Sequence, residues 1–597
     1  MSQKNAKTWA MRTLLSLLAG VAGCLGCNET PIVVGPDRDA KVDGTQPGGK
    51  PDSKLVYLEQ NWTPAESVRF YYTSQGSQIL PYDWFLKLER AGIDTLLRDD
   101  ANMLRLGYLL QKKDVLNPDA LPVGFVKDVG GDRGWLGLTC AACHTSQLDY
   151  KGTAYRIDGG PSLADVRGFL VDVTDSLRAT RDDPAKFARF AAKVSDPKDT
   201  LKATLSEIIR QREGYNARNF PAGILPGHGR VDAFGAIMNE VFHAIAKPTP
   251  APDDFTANTG IADAPVSYPC LWDTPQHDKV QWNGAAKNAG LGSLGRNVGE
   301  VLGVFGKFEI LDPPGEAGYD STVRVRNLLT IEESLKKLWS PQWPAALGEI
   351  KPTLREQGRL AYLKAKCDVC HSRDDQFDRT DPFRRVTAWL GKVGTDDRMA
   401  QNFATRRPKT GRLEGAYVSV IGSNLIGSKT FGAEAAAEEV LGHAVIGTIL
   451  GSGYDAPPDE LTAIEYNGQR LKSMAPARFT VASGGTYKAR PLNGVWATAP
   501  YLHNGSVPTL YHLLLPAKDR PKTFPIGSRE YDPENVGINV AIVLPGGTLF
   551  RARADDGTPV PGNSNAGHEF GTSAINDPAT RLDDAERRAL LEYLKSL

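Results

Sequence analysis

Two short segments carry the clearest chemistry in the chain: Cys140-Ala141-Ala142-Cys143-His144 and Cys367-Asp368-Val369-Cys370-His371. Each is a C-x-x-C-H pattern, the spacing of c-type haem attachment. The reason is mechanical. Two thiols three residues apart, on a turn entering a helix, add to the two vinyl groups of one haem, and the adjacent histidine lies under the iron as its proximal ligand. A zinc knuckle would need four ligands clustered at each site, and a redox dithiol would need no histidine in both copies. The chain holds only seven cysteines and nine histidines in 597 residues, so two complete copies are not an accident of composition. The expectation is two covalently bound haem c groups, with His144 and His371 each beneath an iron.

The remaining cysteines are Cys24, Cys27 and Cys270. Lys4, Lys7 and Arg12 precede a short apolar run from Leu14 to Val21, the layout of a signal peptide and too short to span a bilayer. It ends in Val21-Ala22-Gly23-Cys24, which resembles a bacterial lipobox with Cys24 as the lipid-carrying residue and Cys27 as a second candidate. An ordinary secretory signal cleaved further on is the plainer alternative. Residues 1–27 are thus expected to be a signal peptide with lipobox. Residues 28–55, with Gly35-Pro36 and Pro47-Gly48-Gly49, read as a flexible linker. The protein is expected to be exported, as a periplasmic or outer-membrane-associated lipoprotein or a secreted protein. Cys270 reads as a small buried apolar residue with no chemistry assigned.

The elements that must hold the two motifs are mostly helical. Val231, Phe234, Ile237, Met238, Val241, Phe242 and Ile245 recur at three and four, as one buried helix face requires. Thr353 and Glu356 have capping-box spacing and are expected to start the helix running through Leu360 and Leu363 into Cys367. Asp583 and Asp584 precede Leu590, Leu591, Tyr593, Leu594 and Leu597, a terminal amphipathic helix. Clean two-residue alternation is scarce, so strands are expected to be minor. Gly 60 and Pro 40 favour long irregular connections, such as the proline-rich residues 246–270. The length exceeds what one core usually organises. Pro341, Pro344 and Pro352 mark a boundary near residue 345, giving domains at 56–345 and 346–597 with one haem motif each. Lys plus Arg and Asp plus Glu both number 70, which leaves no net field to attract nucleic acid.

Three further stretches carry a family resemblance. They are the run from Arg490-Pro491-Leu492-Asn493-Gly494 through Thr498-Ala499-Pro500-Tyr501-Leu502-His503-Asn504-Gly505, then Gly562-Asn563-Ser564-Asn565-Ala566-Gly567-His568-Glu569-Phe570-Gly571, and Ile157-Asp158-Gly159-Gly160-Pro161. With the two haem motifs, these resemble the di-haem superfamily of bacterial cytochrome c peroxidases, MauG and rubber oxygenases. The resemblance runs over roughly residues 56–597 and is nearest the rubber oxygenase branch. It implies a mainly α fold of two cytochrome c-like haem domains with long irregular loops and few strands. It also implies an open N-terminal haem on His144 that meets peroxide or oxygen, and a six-coordinate C-terminal haem on His371 that transfers electrons. His568 matches the position of the second axial ligand on the latter, with His503 as the rival. Thr498 and Pro500 match residues whose carbonyls hold an interdomain calcium in the family, and Asp158 is a charge that such a site could recruit. Trp272 is the aromatic residue expected between the haems, with Trp282 as the alternative. His228, His243, His277, His443 and His512 are expected to be structural.

Two reactions and one non-catalytic role follow from the resemblance. The first is peroxide reduction or peroxide-driven oxidation at the N-terminal haem, refilled through the C-terminal haem by a donor protein or small reductant. That chemistry needs a distal acid-base group, for which Glu240 is one of several carboxylates available and none is singled out. The second is dioxygen-dependent cleavage of double bonds in a hydrophobic polymer such as polyisoprene, in an apolar pocket that Phe234 and Ile237 would line. The third is an electron carrier with both irons six-coordinate.

Overall fold

A computed structural model describes residues 54–131, 133–247, 256–288, 292–310, 319–371, 379–381, 386–418, 429–452 and 485–597. The signal, Cys24, Cys27 and the linker as far as residue 53 lie outside the described residues. The fold is mostly helical with small sheets, eight of them among the described residues, none wider than three strands.

The two widest sheets flank the first C-x-x-C-H motif. Strand Lys54–Tyr57 runs parallel to Thr153–Asp158, which pairs antiparallel with Thr145–Tyr150. Threonine, tyrosine and isoleucine favour such strands, and Lys151-Gly152, both with positive φ, supply the two-residue turn that matches strand twist. In the other sheet, Arg133–Leu138 lies between Leu80–Pro81 and Phe125–Gly130. Cys140–Ala142 form a single 3-10 turn on the link between the two sheets. This corrects the expected turn into a helix: the residues after His144 are strand formers closed by a tight hairpin, and they continue as a strand.

Among the described residues three large apolar cores organise the rest, beside a small fourth around Phe524 and Phe550. The first packs helices Val166–Asp182, Pro184–Ala191 and Lys198–Asn219 on Trp84, Phe85 and Phe125. Asp183 ends one of these helices and caps the next, its carboxylate accepting from the N–H groups of Ala185 and Lys186 ahead of Pro184. The second core gathers helices Ala233–Ile245, Gly292–Gly303 and Ala437–Gly451. The third gathers helices Pro64–Tyr72, Pro352–Lys364 and Asp584–Lys595 around Trp272 and Trp496. Residue 345 lies in a 3-10 turn, Ala345–Leu347. The second and third cores both take side chains from either side of it.

Helices Pro352–Lys364 and Asp584–Lys595 pack against each other, and the first of them leads into the second C-x-x-C-H motif. Asp583 and Glu586 form a reciprocal capping box at the start of the terminal helix. Thr353 and Glu356 do not. Their helix begins at Pro352, whose fixed φ starts the first turn without a side-chain cap, and Glu356 pairs with Arg359 instead. The crossing is close at Gly358, where a β-carbon would stand 2.0 Å from the Ala589 carbonyl oxygen. Gly358→Val should therefore cost about 1–3 kcal/mol or more by overpacking. Gly295→Ala, where the added carbon meets Val445 at an ordinary 3.5 Å, should be neutral or slightly stabilising. Denaturant midpoints of the two variants against the parent check this contrast.

Candidate functional site

Helix Pro352–Lys364 delivers the second motif. Lys366 turns the chain with a positive φ, and Cys367–Val369 follow as a 3-10 turn. Cys367, Cys370 and His371 then face a largely apolar cavity of about 240 Å³. His371 Nδ1 lies 2.7 Å from the Arg490 carbonyl oxygen. A carbonyl can only accept, so Nδ1 carries the proton and the other ring nitrogen keeps its lone pair, the arrangement metal-binding histidines use. Across the cavity stands His568, held with a positive φ by its N–H on the Val393 carbonyl, while Arg520 binds the carbonyls of Gly567 and His568. The Nδ1 of His568 has no hydrogen-bond partner among the described residues.

The two rings stand 6.2 Å apart between centroids. Two imidazoles on opposite sides of one metal, at the usual nitrogen distance of about 2.0–2.1 Å, place their ring centres about 6.3 Å apart. The 6.2 Å spacing, at an interplanar angle of 66°, is compatible with two imidazoles on one metal. Burial holds both neutral, pushing His568 down to about 3 and His371 below the ordinary histidine value. His503 also lines the cavity, but its ring stacks on Tyr487 at 3.9 Å and meets Trp282 edge-on at 6.5 Å.

The first motif repeats the same local design. His144 Nδ1 donates to the Pro269 carbonyl at 2.8 Å, and burial pushes the ring down to about 4. Tyr268 stands edge-on to it at 6.2 Å. Burial pushes the Cys140, Cys143 and Cys367 thiols up to about 12. Reactive dithiol pairs hold at least one thiol well below its free value, so the shift runs against that alternative. At the second motif a neutral histidine with one nitrogen tied back, beside paired thiols on an apolar cavity, fits a covalently held haem; the first motif shares the thiols and the tied-back histidine but does not line that cavity.

The segments Ser267–Cys270 and Tyr487–Arg490 run between the two motifs and line the same cavity. Trp282 is on that wall, donating its Nε1–H to the Ser267 carbonyl, with the Arg490 guanidinium 5.5 Å from its ring. Trp272 is fully buried in the third core, its Nε1 on the Asn493 carbonyl, and it does not line the cavity. Thr498 and Pro500 do line it. Among the described residues, no group of three or more His, Cys, Asp or Glu side chains is placed to hold a metal ion, there or elsewhere. Asp158 ends strand Thr153–Asp158 and accepts from Ser67 and Tyr71 of helix Pro64–Tyr72.

One titratable side chain escapes sequence reasoning. Glu300 lies on helix Gly292–Gly303, where burial raises its carboxyl above the ordinary value against the pull of the Arg296 charge and a hydrogen bond from Gln281. Glu300 is half-buried, and its charge reaches Cys140 and Cys143, adding to the larger effect of burial on both thiols. In the sequence, Arg296 and Glu300 are four apart on a helix and read as a solvated ion pair. In the structure Arg296 instead pairs with the buried Glu332. The carboxylate named earlier, Glu240, is bound by Arg218 and Asn219 away from the motif. Phe234 and Ile237 lie in the second core, Phe234 packing on Phe403 at 4.8 Å, and neither reaches the cavity. His228, His443 and His512 are hydrogen-bonded within the scaffold, as is His277 to Lys488 and His243 to the Ala257 carbonyl.

Residues 485–525, which include the Arg490–Gly505 stretch, match the family described as RoxA-like, cytochrome c-like. Two proteins of Sinorhizobium fredii (strain NBRC 101917 / NGR234) are similar to the chain. The uncharacterized protein y4iJ is 33% identical over 612 aligned residues, covering 91% of this chain and 93% of that protein. The uncharacterized protein y4iM is 28% identical over 386 residues, covering 62% of this chain and 72% of that protein.

Proposed function

The chain belongs to the same family as y4iJ and, through its RoxA-like, cytochrome c-like domain, is a haem protein; from that premise we propose an exported di-haem oxidoreductase that reduces or uses hydrogen peroxide at its N-terminal haem. Cys140, Cys143 and His144 would hold one haem, and Cys367, Cys370, His371 and His568 would hold the other. Haem c supplies an iron that meets the oxidant at the first position and exchanges electrons at the second. The signal and lipobox ending at Cys24 support export and a lipid anchor.

The protein's own part is proton handling and positioning. The observation that carries the reading is His144, tied back to the Pro269 carbonyl at 2.8 Å beside the paired thiols of the first motif, and the acid-base role is assigned to Glu300, a half-buried carboxyl raised above its ordinary value. A carboxylate oxygen of Glu300 takes the proton from one peroxide oxygen and returns it to the other, the service an oxygen–oxygen cleavage requires. Gln281 holds that carboxylate in place by a hydrogen bond. Trp282, on the wall between the two sites, offers an aromatic step for electrons supplied by a donor protein or small reductant.

The RoxA-like match at residues 485–525 supports a second reading, dioxygen-dependent cleavage of a hydrophobic polymer. Visible and EPR spectra of the exported, haem-loaded protein, before and after stoichiometric peroxide, separate the two. A high-spin signal that vanishes as peroxide is consumed is the expected result. Oxygen uptake with polyisoprene and no response to peroxide would establish the second reading. Two low-spin signals inert to both would leave an electron carrier and overturn both.

A further inference from the structure

Arg490 touches both sides of the site. Its backbone carbonyl receives the Nδ1–H of His371 at 2.7 Å. Its side chain turns the other way, and one guanidinium nitrogen, Nη2, donates to the Cys270 carbonyl at 2.7 Å and lies 3.0 Å from the Cys270 sulfur. Cys270 directly follows Pro269, whose carbonyl receives the Nδ1–H of His144 at 2.8 Å. One arginine, one hydrogen bond and one peptide unit thus link the residue that orients each proximal histidine. The guanidinium also lies 5.5 Å from the ring of Trp282.

We propose that Arg490 is a positioning residue that joins the two haem sites, its carbonyl orienting His371 while its side chain fixes the segment that orients His144 and brings a positive charge to the N-terminal haem. This also gives Cys270 a role, as the anchor for that side chain. The inference rests on the di-haem reading above. The two contacts differ in kind. Any residue at 490 keeps the carbonyl, but only a cationic side chain keeps the charge, which never leaves an arginine under ordinary conditions. A fixed positive charge near an iron favours the reduced form, and a low-polarity surrounding strengthens the effect.

The test is an EPR-monitored redox titration of the haem-loaded protein, with haem content measured in parallel, on the parent and on Arg490→Gln, Arg490→Lys and Cys270→Asp. In Arg490→Gln the haem on His144 should become about tenfold harder to reduce, a fall of about 59 mV for one electron, with the haem on His371, whose cavity Arg490 also lines, read in the same titration. Arg490→Lys should restore most of the loss. Cys270→Asp, which sets a carboxylate against the guanidinium, should lower the same haem even if the glutamine variant does not accumulate. Unchanged potentials, a shift confined to the His371 haem, or a lysine variant as impaired as glutamine would each overturn the proposal. Peroxide is absent from this experiment, so a parent with two haems but no peroxide chemistry would sink the peroxide reading alone. A parent with fewer than two haems would sink both.

Discussion

Glutamine in place of Glu300 should cut peroxide turnover by about 10²–10⁴-fold while both haems stay attached, the usual range for losing a positioned acid-base group. The substitution keeps size and the contact with Gln281, so the fold around Cys140 and Cys143 has no reason to change. It removes only the ability to accept and return a proton. Because burial raises the Glu300 carboxyl, the parent's turnover should fall as pH drops through that raised value, when the base form is lost. The glutamine variant should show no such limb. Steady-state rates from pH 4 to 8, with haem content measured alongside, check both points; a variant within threefold of the parent would remove Glu300 from the chemistry.

Alanine at 568 has the other large expected effect. The His371 and His568 rings stand 6.2 Å apart across the cavity, so removing one imidazole opens one face of the C-terminal haem. The EPR spectrum should gain a nearly stoichiometric high-spin signal in place of the low-spin one. Alanine at 503 should not produce it, since that ring is stacked on Tyr487 and beside Trp282. A His503→Ala variant that turns high-spin, with His568→Ala unchanged, would exchange the two assignments.

What could be read before the structure was local. A C-x-x-C-H pattern needs no tertiary information, because its thiols and histidine lie within five residues. Helix Ala233–Ile245 announces itself by periodicity, and the terminal helix by its acidic start and apolar face. Glu300 was out of reach because a helical Arg-Glu pair four apart looks alike in solvent and against a buried turn. The choice between Trp272 and Trp282 depends on which of two nearby segments faces a cavity lined by residues from 267 to 594, and no spacing records that. The capping box expected at Thr353 was lost to its neighbour, since a proline one residue earlier starts the helix by its own geometry. The sheets beside the first motif were underweighted because their strands are short, and their parallel partner at Lys54–Tyr57 lies almost a hundred residues upstream.

The third core ties both motifs to one packing unit. Ala141, inside the first motif, shares that core with Leu590, Leu591 and Leu594 of helix Asp584–Lys595, which also packs on the helix leading into the second motif. Loosening that one helix therefore disturbs the packing behind both C-x-x-C-H turns at once.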